Sequence, residues 1–401
     1  MSSNTHVMLD TFPLCAASAA GWVFYDPAHS PARANRVNTS VISRTASSRS
    51  ASVVSKWIEL AADARRLLVR RQFDHRLSIV KRNEFLQKLG QVKFWRTRGQ
   101  RAPHKPLLVL LALGRVARRE ERLARYEQDI ERPLTDLLER FGPPRKAIHP
   151  EYPFSRLPND ELWEIPGRES LPATGQGDLH RRGLVKHAVT GGFPEPIYEL
   201  LLSDSGLVQQ AAQALLYEHF PYSLHDDIRT AAGFPTEFLV QESPGLPYGL
   251  TVPRSPARPR DRNFRHAVLR AYECRCAACG FDLRLEDELL GLEAAHIKWH
   301  SAGGPSKVPN GLALCSIHHK ALDRGALGLA PVSGGFKVLI SAKVYGESDT
   351  TRWFWDCHNA PLRHPRSSEF KPKAEFVKWH TREVFRGPPR DSPSQPTHGS
   401  A

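Results

Sequence analysis

Three cysteines and one histidine stand in two closely spaced pairs in the last third of the sequence. Cys276 and Cys279 form a Cys-x2-Cys pair, and Cys315 and His318 form a Cys-x2-His pair. Thiolates and imidazoles are the usual ligands of structural zinc, and two such pairs supply the four ligands of a tetrahedral site. The alternative is a set of buried free cysteines beside a surface histidine. Two pairs within one short segment favour a structural Zn²⁺ site.

A second set of polar residues, His296, Asn310 and His319, is interleaved with these pairs. Its order and spacing resemble the HNH endonuclease family, whose ββα-metal fold carries the first histidine on a strand, the asparagine on a loop and the last histidine on a helix. The resemblance implies that His296 is the general base, which must lie within reach of the attacking water and titrate near neutrality. It implies that Asn310 holds the loop and orients the base. By the same resemblance, His319 binds a catalytic divalent ion, Mg²⁺ or Mn²⁺.

The number of ligands to that catalytic ion stays open. Asp323 follows His319 by four residues, on the same face of a helix predicted over 318–326, so both side chains can reach one ion. Many family members carry an acidic residue or histidine just before the base, where this sequence has Ala295. Glu293 lies two residues earlier, on the same strand face as Ala295, and can act as this metal ligand directly or through water. Two alternatives follow: His296 and His319 as core histidines, or a non-catalytic, zinc-stabilised DNA-binding protein.

Three stretches upstream carry a second resemblance: Arg101–Arg115, His149–Trp163 and Val189–Pro194. In order and composition they are similar to the sulfur-binding domain of modification-dependent HNH endonucleases that cut phosphorothioated DNA. The resemblance implies that Tyr152 and Pro153 pack on the sulfur, while His104 and Lys105 contact adjacent phosphate or base edges. Some members have arginine where this chain has Lys105. Lysine, unlike arginine, does not form two parallel hydrogen bonds to one base. The flanking-base preference is therefore open.

A phosphate sulfur is larger, softer and less hydrated than the oxygen it replaces, so an apolar cup can select it. Burying one sulfur resembles burying a methylene or two, about 1–2 kcal/mol, which corresponds to roughly 5- to 30-fold in affinity. Most of the affinity must then come from phosphate contacts. A nuclease that reads another modified DNA, or unmodified DNA, through the same basic face is the alternative within this class.

The composition indicates a polyanionic partner, and the two resemblances imply that this partner is double-stranded DNA. The chain of 401 residues has a net charge of +14 and a pI near 9.7, and much of its lysine and arginine lies within 44–82 and 93–125, ahead of the predicted nuclease. Six cysteines with three inside the pairs do not form a disulfide framework. With no apolar run long enough to span a membrane and no basic signal-peptide region at its start, the sequence predicts a cytoplasmic protein. Cleavage of both strands is compatible with a homodimer, although the sequence carries no dimerisation motif.

The predicted fold class is α+β: a mainly helical DNA-binding domain with short strands, followed by a small ββα-metal domain with a structural zinc. The apolar periodicity and the composition predict seven segments. These are a disordered leader at 1–50, a basic amphipathic helix at 51–79, the sulfur-binding domain at 80–240, a Pro-rich linker at 241–262, the HNH domain at 263–345, a C-terminal extension at 346–386 and a disordered tail at 387–401. Short strands are predicted near Phe154–Leu157 and Leu162–Ile165.

Overall fold

A computed structural model of the chain describes residues 79–92, 100–175, 177–238, 262–346 and 348–391, together with two short strands nearer the start. The chain divides into two compact units, Met1–Ser78 and Ile79–Ala401. In the first unit, strands β1 (Cys15–Ser18) and β2 (Gly21–Phe24) pair antiparallel, within the segment predicted to be a disordered leader. The predicted basic helix and Pro-rich linker lie almost entirely outside the described residues.

The first part of the second unit is helical. Its helices are α1 at 79–91, α2 (His104–Ala117), α3 (Arg132–Phe141), α4 (Glu151–Arg156), α5 (Arg181–Lys186), α6 (Glu195–Ser203), α7 (Ser205–His219) and α8 (His225–Ala231). A π-helical turn at Tyr126–Glu131 precedes α3, and the two-residue strands β3 (Ala124–Arg125) and β4 (Thr190–Gly191) pair antiparallel.

Helix α2 is the centre of this helical part. Its leucine-rich stretch is apolar all round, the pattern of a helix buried on every side, and the side chains from Pro106 to Gly114 are all buried. Pro106 lies in the first turn, where a missing backbone N–H costs no hydrogen bond. Helices α3, α4, α6 and α7 pack around it, so its N-terminal residues His104 and Lys105 are held beside α4.

The predicted strand at Phe154–Leu157 is wrong, because this segment belongs to α4 and the turn that follows it. Two prolines explain the helix: Pro150 is the N-cap residue and Pro153 lies in the first turn, where proline fits helical geometry and no N–H is needed. The predicted strand at Leu162–Ile165 is reduced to one bridge, between Glu164 and Gly192.

The second part contains a ββα unit and a C-terminal extension. Its elements are α9 (Arg262–Ala271), β5 (Arg284–Leu285), β6 (Glu288–Leu289), β7 (Leu292–His296), β8 (Gly311–Cys315), α10 (Ser316–Asp323), β9 (Leu327–Val332), β10 (Gly335–Ile340), α11 (Arg352–Trp355) and α12 (Ala374–Glu383). Strands β7 and β8 pair antiparallel with His296 opposite Gly311, and both α9 and α10 pack on the hairpin. The predicted fold class is thereby confirmed; the helix predicted at 318–326 begins and ends earlier, at Ser316 and Asp323.

A buried arginine joins the two parts. Arg101 lies just before α2; its backbone N–H donates to Glu383 of α12, and its guanidinium donates to the Glu383 carbonyl and to the Phe141 carbonyl. The guanidinium also lies 3.9 Å from the ring centroid of Trp299, in the loop after β7. Burial lowers the pKa of Arg101 to about 9, so it stays charged at neutral pH and needs the Glu383 carboxylate nearby.

Glu383→Ala is expected to lower the free energy of unfolding by about 3–5 kcal/mol, because it leaves a buried arginine without its counter-charge. The Glu383 side chain is fully buried and also pairs with Arg145 at 3.1 Å. Urea unfolding of the full chain measures the change. Glu375→Ala, which removes an exposed carboxylate from the same helix, is expected to cost less than about 1 kcal/mol. Equal losses in the two variants would show that Glu383 does not hold the two parts together.

Candidate functional site

The four predicted zinc ligands converge in the structure. The ligand atoms of Cys276, Cys279, Cys315 and His318 all lie within 4.8 Å of one another, and His318 Nδ1 lies 3.1 Å from Cys315 Sγ and 3.7 Å from Cys276 Sγ. Ligands about 2.3 Å from one tetrahedral centre are about 3.8 Å apart. The donor set and its dimensions therefore fit a Cys3His zinc site.

The surroundings of this cluster favour a thiolate site in an apolar shell. Cys276 and His318 are fully buried, and the His318 ring stacks on Phe354 of α11, with ring centroids 5.2 Å apart. Hydrogen bonds from Cys279 and Cys315 lower the pKa of the Cys276 thiol, so one of the thiols readily becomes the thiolate that a metal requires. The C-terminal extension, to which sequence reasoning gave no role, thus supplies a wall of the cluster.

Asn310 fixes the loop between β7 and β8. Its side chain is fully buried: Oδ1 accepts from the Lys298 N–H at 2.8 Å, and Nδ2 donates to the carbonyls of Lys298 and Pro305 at 3.0 Å each. Its carbonyl accepts from the Ile297 N–H. These bonds tie both ends of the loop together directly after His296, the arrangement that the predicted role of Asn310 requires.

His296 lies at the end of β7 on the side covered by α9. Its ring stacks on Phe264 with centroids 4.0 Å apart, and its Nε2 lies 3.3 Å from Ser306 Oγ. Helix α9 approaches closely because residue 311 is glycine; a Cβ at Gly311 would stand 2.5 Å from Val268 and 3.0 Å from Phe264. Phe264 and Ser306, both in contact with the imidazole, also line an open cavity of about 340 Å³.

Burial lowers the pKa of His296 to about 4, with His300 adding to the effect. The sequence predicted an imidazole titrating near neutrality, and the value without DNA is lower because the ring is packed between Phe264 and the loop. At neutral pH His296 is therefore uncharged. An uncharged imidazole is the form that accepts a proton.

His319, in α10, lies between two carboxylates. Its Nδ1 is 2.5 Å from Glu293 Oε2, and its Nε2 is 3.3 Å from Asp323 Oδ2. Burial lowers the pKa of His319, but Asp323 and then Glu293 outweigh it and raise the pKa to about 10. Ala295 is fully buried, so this position presents no ligand. The three polar side chains thus stand as a row, Glu293–His319–Asp323.

The spacing of this row suits one divalent ion at the Asp323 end. Two ligands each about 2.1 Å from an octahedral ion lie about 3.0 Å apart, close to the 3.3 Å between His319 Nε2 and Asp323 Oδ2. Imidazole and carboxylate are ligands that Mn²⁺ accepts, and carboxylate is preferred by Mg²⁺. Glu293 approaches the opposite nitrogen of the ring, which is the position of an outer carboxylate that orients a metal-binding histidine.

In the helical part, Tyr152 is the exposed member of the predicted sulfur cup. Its side chain is 38% exposed, its ring stacks on His149 with centroids 4.7 Å apart, and Pro153 beside it is buried. The Arg156 guanidinium lies 4.9 Å from the Tyr152 ring centroid. Asp178 holds Arg156 with two hydrogen bonds of 2.7 and 2.6 Å, which leaves a pre-positioned cation next to the ring.

His104 and Lys105 present less charge than predicted. Burial lowers the pKa of His104 to about 4, and the charges of Arg145, Arg101 and Arg156 lower it further. Lys105 forms an ion pair with Asp160, whose side chain is 4% exposed. His104 is therefore neutral at pH 7, and Asp160 balances the charge of Lys105 in the protein without DNA.

Several cations of the predicted basic stretch 93–125 are also engaged within the protein. Arg115 pairs with Glu120, Arg122 with Glu164, and Arg101 is buried. Arg156 lies outside both basic stretches, and sequence reasoning missed it. The available signal was its spacing of four residues from Tyr152, which places both on one face of a helix.

Comparison with protein-family models confirms both resemblances. Residues 82–236 match the ScoMcrA-like DNA sulfur-binding domain, and residues 276–330 match the HNH endonuclease family. The chain therefore carries a sulfur-binding domain followed by an endonuclease domain, and the nuclease domain implies a divalent metal. Comparison with curated proteins gives no match.

Several solved structures are similar to 39% of this chain. The sulfur-binding domain of ScoMcrA complexed with phosphorothioated DNA is 26% identical, with 98% of that chain covered and a TM-score of 0.34. The matching domain of SprMcrA with phosphorothioated DNA is 24% identical, with 96% covered and a TM-score of 0.33. The type IV phosphorothioation-dependent restriction endonuclease ScoMcrA is 25% identical, with a TM-score of 0.32, and only 35% of its chain is covered.

Within the described residues, no helix is long and apolar enough to cross a membrane.

Proposed function

We propose that this protein is a modification-dependent, type IV-like restriction endonuclease that binds phosphorothioated double-stranded DNA and hydrolyses its phosphodiester bonds. The observation that carries the proposal is the succession of two family matches in one chain, the sulfur-binding domain at 82–236 and the HNH endonuclease at 276–330. The exposed Tyr152 beside a clamped Arg156 supports the first step, and the arrangement of His296, Asn310 and His319 supports the second.

In this proposal Tyr152 and the edge of Pro153 contact the sulfur, and Arg156 supplies a phosphate contact beside them. His104 donates or accepts one neutral hydrogen bond, because its lowered pKa leaves it uncharged. Lys105 exchanges Asp160 for a DNA phosphate. Breaking this partly buried ion pair costs free energy unless the phosphate replaces Asp160 as the partner of Lys105. We therefore expect Lys105 to contact the phosphate after the DNA has docked rather than to attract DNA at long range.

In the nuclease domain we assign His296 as the base that takes a proton from water, with Asn310 holding its loop. Ser306 and Phe264 fix the ring from two sides. His319 and Asp323 hold a divalent ion, Mg²⁺ or Mn²⁺, and Glu293 fixes the ring of His319. When bound, that ion supplies Lewis-acid polarisation of the phosphate and stabilises the departing oxygen. The Cys3His cluster holds a structural Zn²⁺.

We place the protein in the cytoplasm, where DNA is available and thiols stay reduced. A homodimer would bring two active sites to the two strands, and sedimentation of the full chain with and without DNA tests it. Two other functions compete with the proposal: a nuclease that reads another DNA feature, and a zinc-stabilised binding protein that does not cut. The second is disfavoured by the pair His319–Asp323, whose Nε2 and Oδ2 atoms lie 3.3 Å apart, close enough to hold one ion.

The decisive experiment is binding and cleavage by the full chain on matched duplexes with and without a single phosphorothioate. Tighter binding of the modified duplex, and cutting only in the presence of Mg²⁺ or Mn²⁺, are expected. Equal affinity for the two duplexes would refute sulfur recognition. Absence of cutting on modified DNA with either ion would favour the binding protein.

Tyr152→Ala is expected to remove the preference for the modified duplex, a loss of roughly 5- to 30-fold in affinity for that duplex alone. Affinity for the unmodified duplex should change little, because the ring makes no charged contact with DNA in this proposal. Tyr152→Phe keeps the ring and is expected to keep the preference. Fluorescence anisotropy with both duplexes measures the ratio.

Arg156→Ala is the matched comparison from the same helix. It should weaken binding of both duplexes alike and lower the slope of log affinity against log salt by about one, as expected for one lost phosphate contact. A Tyr152→Ala protein that still prefers the modified duplex would place the sulfur cup elsewhere.

A further inference from the structure

The helical part of the protein contacts the nuclease helix α10 through the segment that leads into α8. The turn at Tyr222–Leu224 and the start of α8 lie against it. Asp227 pairs with Lys320 at 3.2 Å and with Arg324 at 3.3 Å. Between these two cations of α10 lies Asp323, and its Oδ2 accepts a hydrogen bond from Ser223 Oγ at 2.5 Å. A residue of the sulfur-binding match, 82–236, thus bonds a side chain of the nuclease match.

The contact involves the carboxylate that stands next to His319. The Asp323 side chain is 2% exposed, and its Oδ2 is the atom nearest to His319 Nε2. A buried carboxylate needs hydrogen-bond donors to hold its charge and its orientation. Ser223 supplies such a donor from outside the ββα unit.

The hydroxyl does not compete with an ion for this oxygen. A carboxylate has about four acceptor positions on its two oxygens, so Oδ2 can accept from Ser223 and still face His319 Nε2. Donors that bond a metal-binding carboxylate fix its direction and are outer-shell partners of the site. This geometry allows Ser223 to orient the Asp323 carboxylate without blocking an ion.

We propose that Ser223 is a positioning residue for the catalytic metal site, so that the sulfur-binding part of the chain completes the nuclease. This inference rests on the proposed role of Asp323 as a metal ligand. Loss of an outer-shell partner typically weakens metal binding by about 10- to 100-fold. The ion pairs of Asp227 with Lys320 and Arg324 hold the turn in place, and the hydroxyl acts on Asp323.

The test measures Mn²⁺ binding to the zinc-loaded full chain without DNA, by the electron paramagnetic resonance signal of free Mn²⁺. Ser223→Ala is expected to weaken Mn²⁺ binding by about 10- to 100-fold. Ser223→Thr retains the hydroxyl and is expected to restore affinity close to that of the natural chain. Thr230→Ala removes an exposed hydroxyl from the adjacent helix α8 and is expected to leave Mn²⁺ binding unchanged.

Unchanged or tighter Mn²⁺ binding by Ser223→Ala would overturn the inference, and tighter binding would make the contact inhibitory. Ser223→Thr as weak as Ser223→Ala would also overturn it, since that result points to packing rather than to the hydroxyl. Thermal melting shows whether the variants are folded. Asp323→Asn separates the two levels of the proposal: if it loses Mn²⁺ while Ser223→Ala does not, only the role of Ser223 fails. If Asp323→Asn binds like the natural chain, the metal site itself is misassigned and both fail.

Discussion

His296→Ala is expected to lower the single-turnover cleavage rate by about 10²- to 10⁴-fold, the usual contribution of a general base, while affinity for modified DNA stays unchanged. His296 lies in the endonuclease match and Tyr152 in the sulfur-binding match, so loss of the imidazole is expected to remove chemistry and not recognition. The rate is measured at saturating protein with Mg²⁺ or Mn²⁺, and affinity is measured with Ca²⁺ or without metal. Undiminished cutting would remove His296 as the base.

Two variants make this result specific. His296→Gln keeps a polar side chain next to Ser306 and a flat group against Phe264, so it should fold like the natural chain and be equally inactive. His300→Ala removes the nearest other imidazole, whose ring centroid is 5.8 Å from that of His296. The cleavage rate of His300→Ala should fall by less than the roughly 100-fold expected when a general base is lost. A larger loss in His300→Ala than in His296→Ala would transfer the role of base to His300.

The nuclease part could be predicted closely because its motif is local. Several of the predicted site residues lie at or near the end of an element: His296 ends β7, Cys315 ends β8 and His318 lies in the first turn of α10. The hairpin register then places them without reference to the rest of the chain. Strand alternation also pointed to Glu293, which contacts the ring nitrogen of His319 that faces away from Asp323; its role as a metal ligand stays a prediction.

The helical part around Tyr152 was harder to predict because proline is common both in turns and in the first turn of a helix. The sequence around Tyr152 contains Pro150 and Pro153, which usually signal a turn into extended chain, but here they begin helix α4. In a strand, residues four apart share a face but lie about 13 Å from each other, so the strand assignment left Arg156 out of reach of the Tyr152 ring. As a result, the sequence analysis did not identify Arg156 as the cation beside the Tyr152 ring.

Contacts between the two parts could not be predicted at all. Arg101 and Glu383 are separated by 282 residues and Ser223 and Asp323 by 100, and no local pattern relates them. The predicted Pro-rich linker also suggested independent domains. Instead, Trp299 and Trp379 of the nuclease part belong to the same apolar core as α2. Arg101 belongs to the basic stretch 93–125 but is buried between the two parts of the chain. A basic stretch of sequence is therefore a poor guide to the DNA-binding surface.

Removal of zinc is expected to unfold the nuclease part and to abolish cleavage. In small domains the binding of structural Zn²⁺ supplies about 10–16 kcal/mol of apparent folding free energy, more than the few hydrogen bonds around the cluster can replace. Cys276, Cys315 and His318 are buried among the side chains that form the core of this part, so ligands left without metal also leave buried polar atoms unsatisfied. Chelation by a strong zinc chelator should abolish the native melting transition.

Single substitutions identify which residues hold this zinc. Elemental analysis is expected to find one zinc ion per natural chain, and Cys276→Ser and Cys315→Ser should lose it together with most of the thermal stability. Cys274→Ser changes a partly exposed cysteine two residues from the cluster and is expected to retain both. A natural chain whose melting is unaffected by the chelator, or a Cys274→Ser protein as zinc-free as Cys276→Ser, would contradict the four-ligand site. Because Asp323 and His319 lie on the helix that follows Cys315, the proposed zinc would also hold the row Glu293–His319–Asp323 in register, and we expect the zinc-free variants to lose Mn²⁺ binding as well.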